Sequence, residues 1–278
     1  MVPPPPDPEL EQLEIDLLLE AVYRRYGFDF REYAQASLKR RLYRRMHSEG
    51  LATLSDLHAR LLHDPPVMER LLVDLSINVT AMFRDPSFYV AFREKIVPTL
   101  RTYPFTRIWC AGCSTGEEVY SLAILLREEG LYDRTRIYAT DINEHVLATA
   151  REGVFPLERM QQYTQNYLRA GGTGDFSEYY LAAYDNVRFM RELTENVVFA
   201  QHNLAMDRSF NEFNVILCRN VMIYFDKALQ NRVHRLFYES LDTFGILILG
   251  HKESLAFSPF TEKYEALDEA ERIYRKIA

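Results

Sequence analysis

Cysteine is scarce in this chain of 278 residues: Cys110, Cys113 and Cys218 are the only three. So few cysteines exclude the disulfide framework of a small secreted domain. Long apolar runs are missing as well, and the longest uninterrupted one falls far short of a membrane span. The start, M-V-P-P-P-P-D-P, lacks the basic beginning and apolar centre of a signal peptide and reads as a disordered tail over residues 1–8. The seven histidines show no ligand spacing, so no metal site is expected. Cys110 and Cys113 form a C-x-x-C with no second pair, which favours packing over a redox or zinc role. A cytoplasmic protein is the natural expectation.

What the chain does have is apolar content of 47% and aromatic content of 13%, enough for a full core in one large or two modest domains. The stretch that organises it is R-I-W-C-A-G-C-S-T-G-E-E, residues 107–118. An apolar strand, a turn of small residues and a helix with Val119, Leu122, Ala123 and Leu126 at helical spacing form the first unit of a nucleotide-type α/β domain. Only Gly112 and Gly116 are glycines, so the dinucleotide fingerprint G-x-G-x-x-G is absent. Glu117 and Glu118 in the first helical turn suit the helix dipole but would repel a pyrophosphate. A ligand with amine, sulfonium and ribose hydroxyls, such as S-adenosylmethionine, fits this turn better than NAD.

Helices are expected over residues 9–26, 30–49, 54–62 and 67–75, making a small all-α domain over 9–75. Leu13, Leu17, Leu18, Val22 and Tyr26 are expected on one inward side of the first. Residues 21–48 hold eight basic side chains against Asp29 and Glu32, a local charge of +6 in a chain of net charge −7. Arg40, Arg41, Arg44 and Arg45 are expected to stack outward in i,i+4 columns, ready for an acidic partner, with a plain solvated face as the alternative. No nucleic-acid motif accompanies them. A linker and connecting helix are expected over 76–104. The α/β alternation then fills 105–278, with strands at 107–110, 136–139, 197–200, 214–218 and 245–250, a last one near 272–276, and helices at 117–129, 143–151 and 227–241. An insertion at about 161–195 carries a helix, a loop and short strands. Asp141, 29 residues after Gly112, ends the second strand. There it can accept both ribose hydroxyls or cap the next helix.

Several motifs together resemble the CheR family, the S-adenosylmethionine-dependent methyltransferases that esterify glutamates of bacterial chemoreceptors. They are G-F-D-F-R-E-Y with L-K-R-R-L-Y-R-R-M, then N-V-T-A-M-F-R-D-P, S-T-G-E-E-V-Y-S-L-A, A-T-D-I, C-R-N-V-M-I-Y-F-D and G-H-K-E-S-L. The resemblance spans residues 20–257 in order. It implies a Rossmann-like, doubly wound, mostly parallel sheet preceded by the all-α domain. It puts Asn78, Thr80 and Arg84 over the cofactor, Glu117 at its amine end and Asp141 at its ribose. Asn203 and Leu204 would flank the adenine, and Arg219 and Asn220 would lie under the methionine moiety. Arg84 and Tyr224 are implied near the transferred methyl. The implied partner is the glutamate-bearing helical bundle of a chemoreceptor, met by a monomer without nucleic acid or membrane insertion. Two departures stand out: Lys252 replaces a small residue in the G-H-x-E-S-L turn, and the insertion is longer and more aromatic than the β-subdomain that some members use to hold a receptor's C-terminal peptide.

The implied reaction is in-line displacement by a glutamate carboxylate. That group is already ionised at neutral pH, so positioning matters more than a general base. The rivals are a DNA amino-methyltransferase, whose N/D-P-P-Y/F loop is replaced here by R-N-V-M, and a non-catalytic cofactor-binding adapter or sensor.

Overall fold

A computed structural model describes residues 7–75, 80–256 and 258–277, which form two units. The smaller holds four helices together with Tyr224–Gln230. Helix α1 (Pro8–Tyr26) opens with the Asp7 carboxylate accepting the Glu9 N–H and closes on Gly27, whose left-handed φ of 79° L side chains rarely adopt. Its core side is Ile15, Leu18, Leu19 and Val22. Leu13 and Leu17, expected inward, point to solvent together with Leu10, because Ile15 and Leu19 set the buried stripe two residues off.

Helix α2 (Gln35–Ser48) starts five residues later than its periodicity suggests. Phe30–Ala34 is drawn off by the returning segment: Tyr33 bridges Phe225, and the Ala34 N–H donates to the Tyr224 carbonyl at 2.8 Å. Helix α3 (Leu54–His63) begins with a Thr53/Asp56 capping box. In Asp64-Pro65-Pro66 the prolines do open helix α4 (Pro65–Leu75), where their fixed φ and missing N–H cost nothing.

The larger unit begins with α5 (Pro86–Ala91), a π turn (Phe92–Ile96) and α6 (Val97–Leu100) in continuous succession. Alternation follows: β1 (Thr106–Ala111), α7 (Glu117–Glu128), β2 (Thr135–Asp141) and α8 (Glu144–Glu152). The insertion runs from β3 (Val154–Pro156) through α9 (Met160–Arg169) to β4 (Tyr180–Ala183) and β5 (Asn186–Phe189). Then come β6 (Val197–Gln201), β7 (Phe213–Cys218), α10 (Lys227–Ser240), which belongs to this unit from Asn231 onward, β8 (Leu241–Leu249), β9 (Tyr264–Asp268) and β10 (Ile273–Lys276).

Seven strands form one sheet in the order β6-β2-β1-β7-β8-β10-β9. The first five are parallel, and β10 runs antiparallel to both of its neighbours. Strands such as I-W-C-A and V-I-L-C read as continuous apolar runs because both faces of a parallel sheet are covered. The insertion folds as a second sheet, β3-β5-β4, wholly antiparallel. Among the described residues, no helix is long and apolar enough to cross a membrane.

Candidate functional site

The order of the large sheet reverses at β1, with β2 on one side and β7 on the other. In open α/β sheets the crevice at such a switch point, beyond the carboxyl ends of the strands, is where ligands bind. Gly112 leaves β1 at φ +77°, and a Cβ there would lie 2.4 Å from Val221 in the loop after β7. Gly116, at φ +97°, lies so close to Ala150 of α8 that a Cβ would stand 2.9 Å from it. Small residues in this turn therefore serve close backbone approach. Cys110 and Cys113 are free and buried, and burial pushes both thiols well above their ordinary range.

Asp141 sits at the end of β2, and its two carboxylate oxygens accept N–H bonds from Ser114 and Asn143, each at 3.0 Å. It does not cap α8, because Asn143 does so through its own side chain. Glu117 is 1% exposed. Thr115 donates its hydroxyl to it at 2.6 Å, the Tyr163 hydroxyl lies 3.4 Å away, and the Arg159 guanidinium 3.5 Å away. Burial raises the titration of both Glu117 and Asp141. Two buried carboxylates at one edge attract an ammonium or hydroxyl donors and repel phosphate, so their chemistry fits S-adenosylmethionine. Each carboxylate oxygen has two lone pairs, so Asp141 keeps acceptor capacity beyond its two backbone bonds.

Asn203 opens the loop after β6, where its side chain accepts the Ala205 N–H and its own N–H donates to Asp207 at 2.7 Å. Leu204 lies in the same turn, half-buried. Beyond β7, Arg219 is sealed in, stacked 4.1 Å over the Phe88 ring and paired with Glu118 at 2.8 Å and Asp85 at 2.9 Å. Its guanidinium thus ties α7 and the Arg84–Asp85 segment to the loop. Asn220 follows at a left-handed φ of 63°.

What holds that loop is Glu253, which motif reading quoted but did not single out. Its carboxylate accepts four backbone N–H groups: Gly250 at 2.6 Å, Asn220 at 2.9 Å, Val221 at 2.8 Å and Met222 at 2.7 Å. Glu253 is buried, with its titration raised, and Gly250 has no room for a Cβ between it and Asn220. Arg159 and Tyr163 were also missed. They come from the edge of the insertion, and nothing in their local sequence places them beside Glu117.

Thr80 and Arg84 lie half-buried in the same unit, whereas Asn78 falls outside the described residues. Tyr224 groups with the helical unit, its ring 4.8 Å from the Arg41 guanidinium. That contact corrects the expected basic face. Arg41 is 5% exposed and donates to the Leu75 carbonyl, while Arg45 pairs with Asp74 and Glu49. Both share the stripe of Leu38, Leu42 and Met46, three or four residues apart, and so turn inward. Only Arg40 and Arg44 of the four are exposed.

The CheR methyltransferase all-alpha domain matches residues 13–76, and the CheR methyltransferase SAM binding domain matches residues 78–271. A protein of Pseudomonas putida named Cher3 is 51% identical over 95% of this chain and 97% of its own length. "Chemotaxis protein methyltransferase 2" of Pseudomonas aeruginosa is 35% identical over 84% of each chain. "Chemotaxis protein methyltransferase" of Salmonella typhimurium is 32% identical over 86% of this chain and 83% of its own. With both of its domains matched and its buried carboxylates at the switch point of the sheet, the chain belongs to the CheR family of S-adenosylmethionine-dependent methyltransferases.

Proposed function

We propose that this chain forms methyl esters on glutamates of a chemoreceptor-type helical bundle. The observation that carries the reading is the pair of buried acids, Glu117 and Asp141, at the switch point of a chain 32–35% identical to proteins named chemotaxis protein methyltransferases. Bound S-adenosylmethionine supplies a sulfonium methyl, which is electrophilic. The chain's own residues bind, orient and exclude water. Asp141 accepts the ribose hydroxyls, and Glu117 takes the ammonium of the methionine end. Asn203 and Leu204 flank the adenine. Asn220, Thr80 and Arg84 close on the methionine end, with Arg219 bracing the loop beneath it and Asn78 assigned to the same role by its motif.

Arg84 and Tyr224 hold the attacking carboxylate in line. A glutamate is ionised at neutral pH, so no residue need remove a proton, and alignment provides the acceleration. Arg84→Ala and Tyr224→Phe should therefore lower the single-turnover rate by tenfold or more while changing cofactor affinity less. Equal losses of rate and affinity would contradict the assignment. For the substrate, a bundle fragment whose methylation-region glutamates are replaced by glutamine should accept no labelled methyl from this enzyme. Undiminished labelling of that fragment would refute the glutamyl reading.

A further inference from the structure

The backbone is left-handed on both sides of Arg84, at Phe83 with φ +49° and at Asp85 with φ +56°. L side chains rarely adopt this region, and at a ring as bulky as phenylalanine the surroundings must impose it. Packing does so at Phe83. Its ring is fully buried, with the Tyr89 and Tyr167 rings 5.0 and 5.3 Å away, and its N–H donates to Ser121 Oγ at 2.8 Å. Ser121 in turn donates to the Glu117 carbonyl at 2.7 Å, so this end of the turn is tied to α7.

At Asp85 the cause is electrostatic. The residue holds the N-cap position of α5, where an aspartate ordinarily accepts an N–H of the first turn. Its side chain makes no such bond. The half-buried carboxylate instead accepts from Arg219 Nη2 at 2.9 Å, and the same nitrogen lies 3.4 Å from the Arg84 carbonyl. His251 Nδ1 stands 3.9 Å from it, with Glu271 2.8 Å from the other ring nitrogen. A side chain needed only to start α5 would be satisfied by the cap. This one forgoes the cap and reaches a buried cation.

We propose that Asp85 is a positioning residue for methyl transfer, anchored on Arg219 so that the strained turn 83–85 presents Arg84 to the substrate in one fixed direction. The proposal deepens the assignment of Arg84 to the attacking carboxylate and rests on it. Rotation about the Asp85 N–Cα bond swings the preceding chain, Arg84 first, relative to α5. The anchored carboxylate opposes that rotation, and the buried Phe83 ring opposes it from the other side. Alignment of the attacking oxygen with the methyl then depends on a residue that touches neither.

The test uses the full chain and measures two quantities. One is the single-turnover rate of methyl transfer to a receptor-bundle fragment at saturating cofactor, and the other is calorimetric affinity for S-adenosylmethionine. Asp85→Asn keeps the size of the side chain and tolerates the left-handed backbone, so it removes chiefly the anionic anchor. It should lower the rate by about ten- to a hundredfold, the scale of a small misplacement of an orienting group. Cofactor affinity should stay within about threefold of wild type. Asp85→Glu, which keeps the anion, should recover part of the rate. In an Arg84→Ala background, Asp85→Asn should lower the rate no further, because the residue through which it acts is gone. A loss as large in that background as in wild type makes Asp85 a general brace of the fold and overturns the inference. So does an affinity that falls as much as the rate, or a rate that does not change. If Arg84→Ala itself transfers methyl at the wild-type rate, the assignment of Arg84 fails first and the inference fails with it.

Discussion

A carboxylate that accepts four backbone N–H groups has no isosteric substitute, since an amide in its place turns a donor toward donors. Glu253→Gln should therefore leave buried N–H groups unsatisfied at about 1–3 kcal/mol each and loosen Arg219–Met222. We expect calorimetry to show cofactor affinity falling by roughly tenfold or more. Unchanged affinity would show that the loop holds its shape without the clamp. A pH effect belongs to the same scale. Burial raises the titration of Glu117 and Asp141, so both protonate at higher pH than free carboxyls do. The sign is fixed: only the ionised forms attract the ammonium and accept both hydroxyls. Affinity should fall as pH drops toward the raised values, and Asp141→Asn, weaker by at least about tenfold at neutral pH, should show a shallower profile. A wild-type affinity that is flat down to pH 4.5 would contradict this. At this scale the site was partly legible. Asp141 and Glu117 follow from a strand end and a first helical turn, which are local facts. Glu253 lies 33 residues from Asn220, and Arg159 lies 42 from Glu117, so tertiary folding alone brings each pair together.

Among the elements, α2 shows how a pattern read as charge is in fact divided by burial. Its arginines at i and i+4 form two columns, but one column coincides with the leucine stripe and is absorbed by Asp74, Glu49 and the Leu75 carbonyl. Arg70 and Arg45 in turn hold the Glu49 carboxyl down, to about 2. Reversing Arg40 and Arg44 to glutamate should leave the fold intact and raise the apparent KM for a receptor bundle, more so at low salt, because exposed pairs are screened over about 8 Å at physiological ionic strength. Reversing Arg41 and Arg45 should instead unfold the helical unit at lower temperature, since it places acids beside Asp74 and Glu49. Thermal melts and steady-state kinetics on both double mutants separate the two columns. A stable Arg41/Arg45 variant would show that the buried pairs contribute nothing. The late start of α2 has a comparable cause: its periodicity continues back to Phe30, but the strand-like contact with Phe225 competes successfully for that turn.

At the level of the whole molecule, the alternation of strand and helix was plain in the sequence because the parallel strands are continuous apolar runs with glycine, aspartate or asparagine at their ends. The antiparallel β3-β5-β4 sheet was less so, since its strands are only three or four residues long, and the alternation N-V-R-F of β5 is too short to stand out from its surroundings. The account as a whole rests on the product formed. The most direct measurement is transfer of a tritiated methyl group from S-adenosylmethionine to a receptor-bundle fragment, followed by mild alkali. A glutamyl methyl ester releases the label as volatile methanol, and the account predicts that nearly all protein-bound label is released and that Asp141→Ala transfers about tenfold less or lower still at limiting cofactor. Label that stays on the fragment through alkali, or no transfer by a wild-type chain that binds the cofactor, would contradict it.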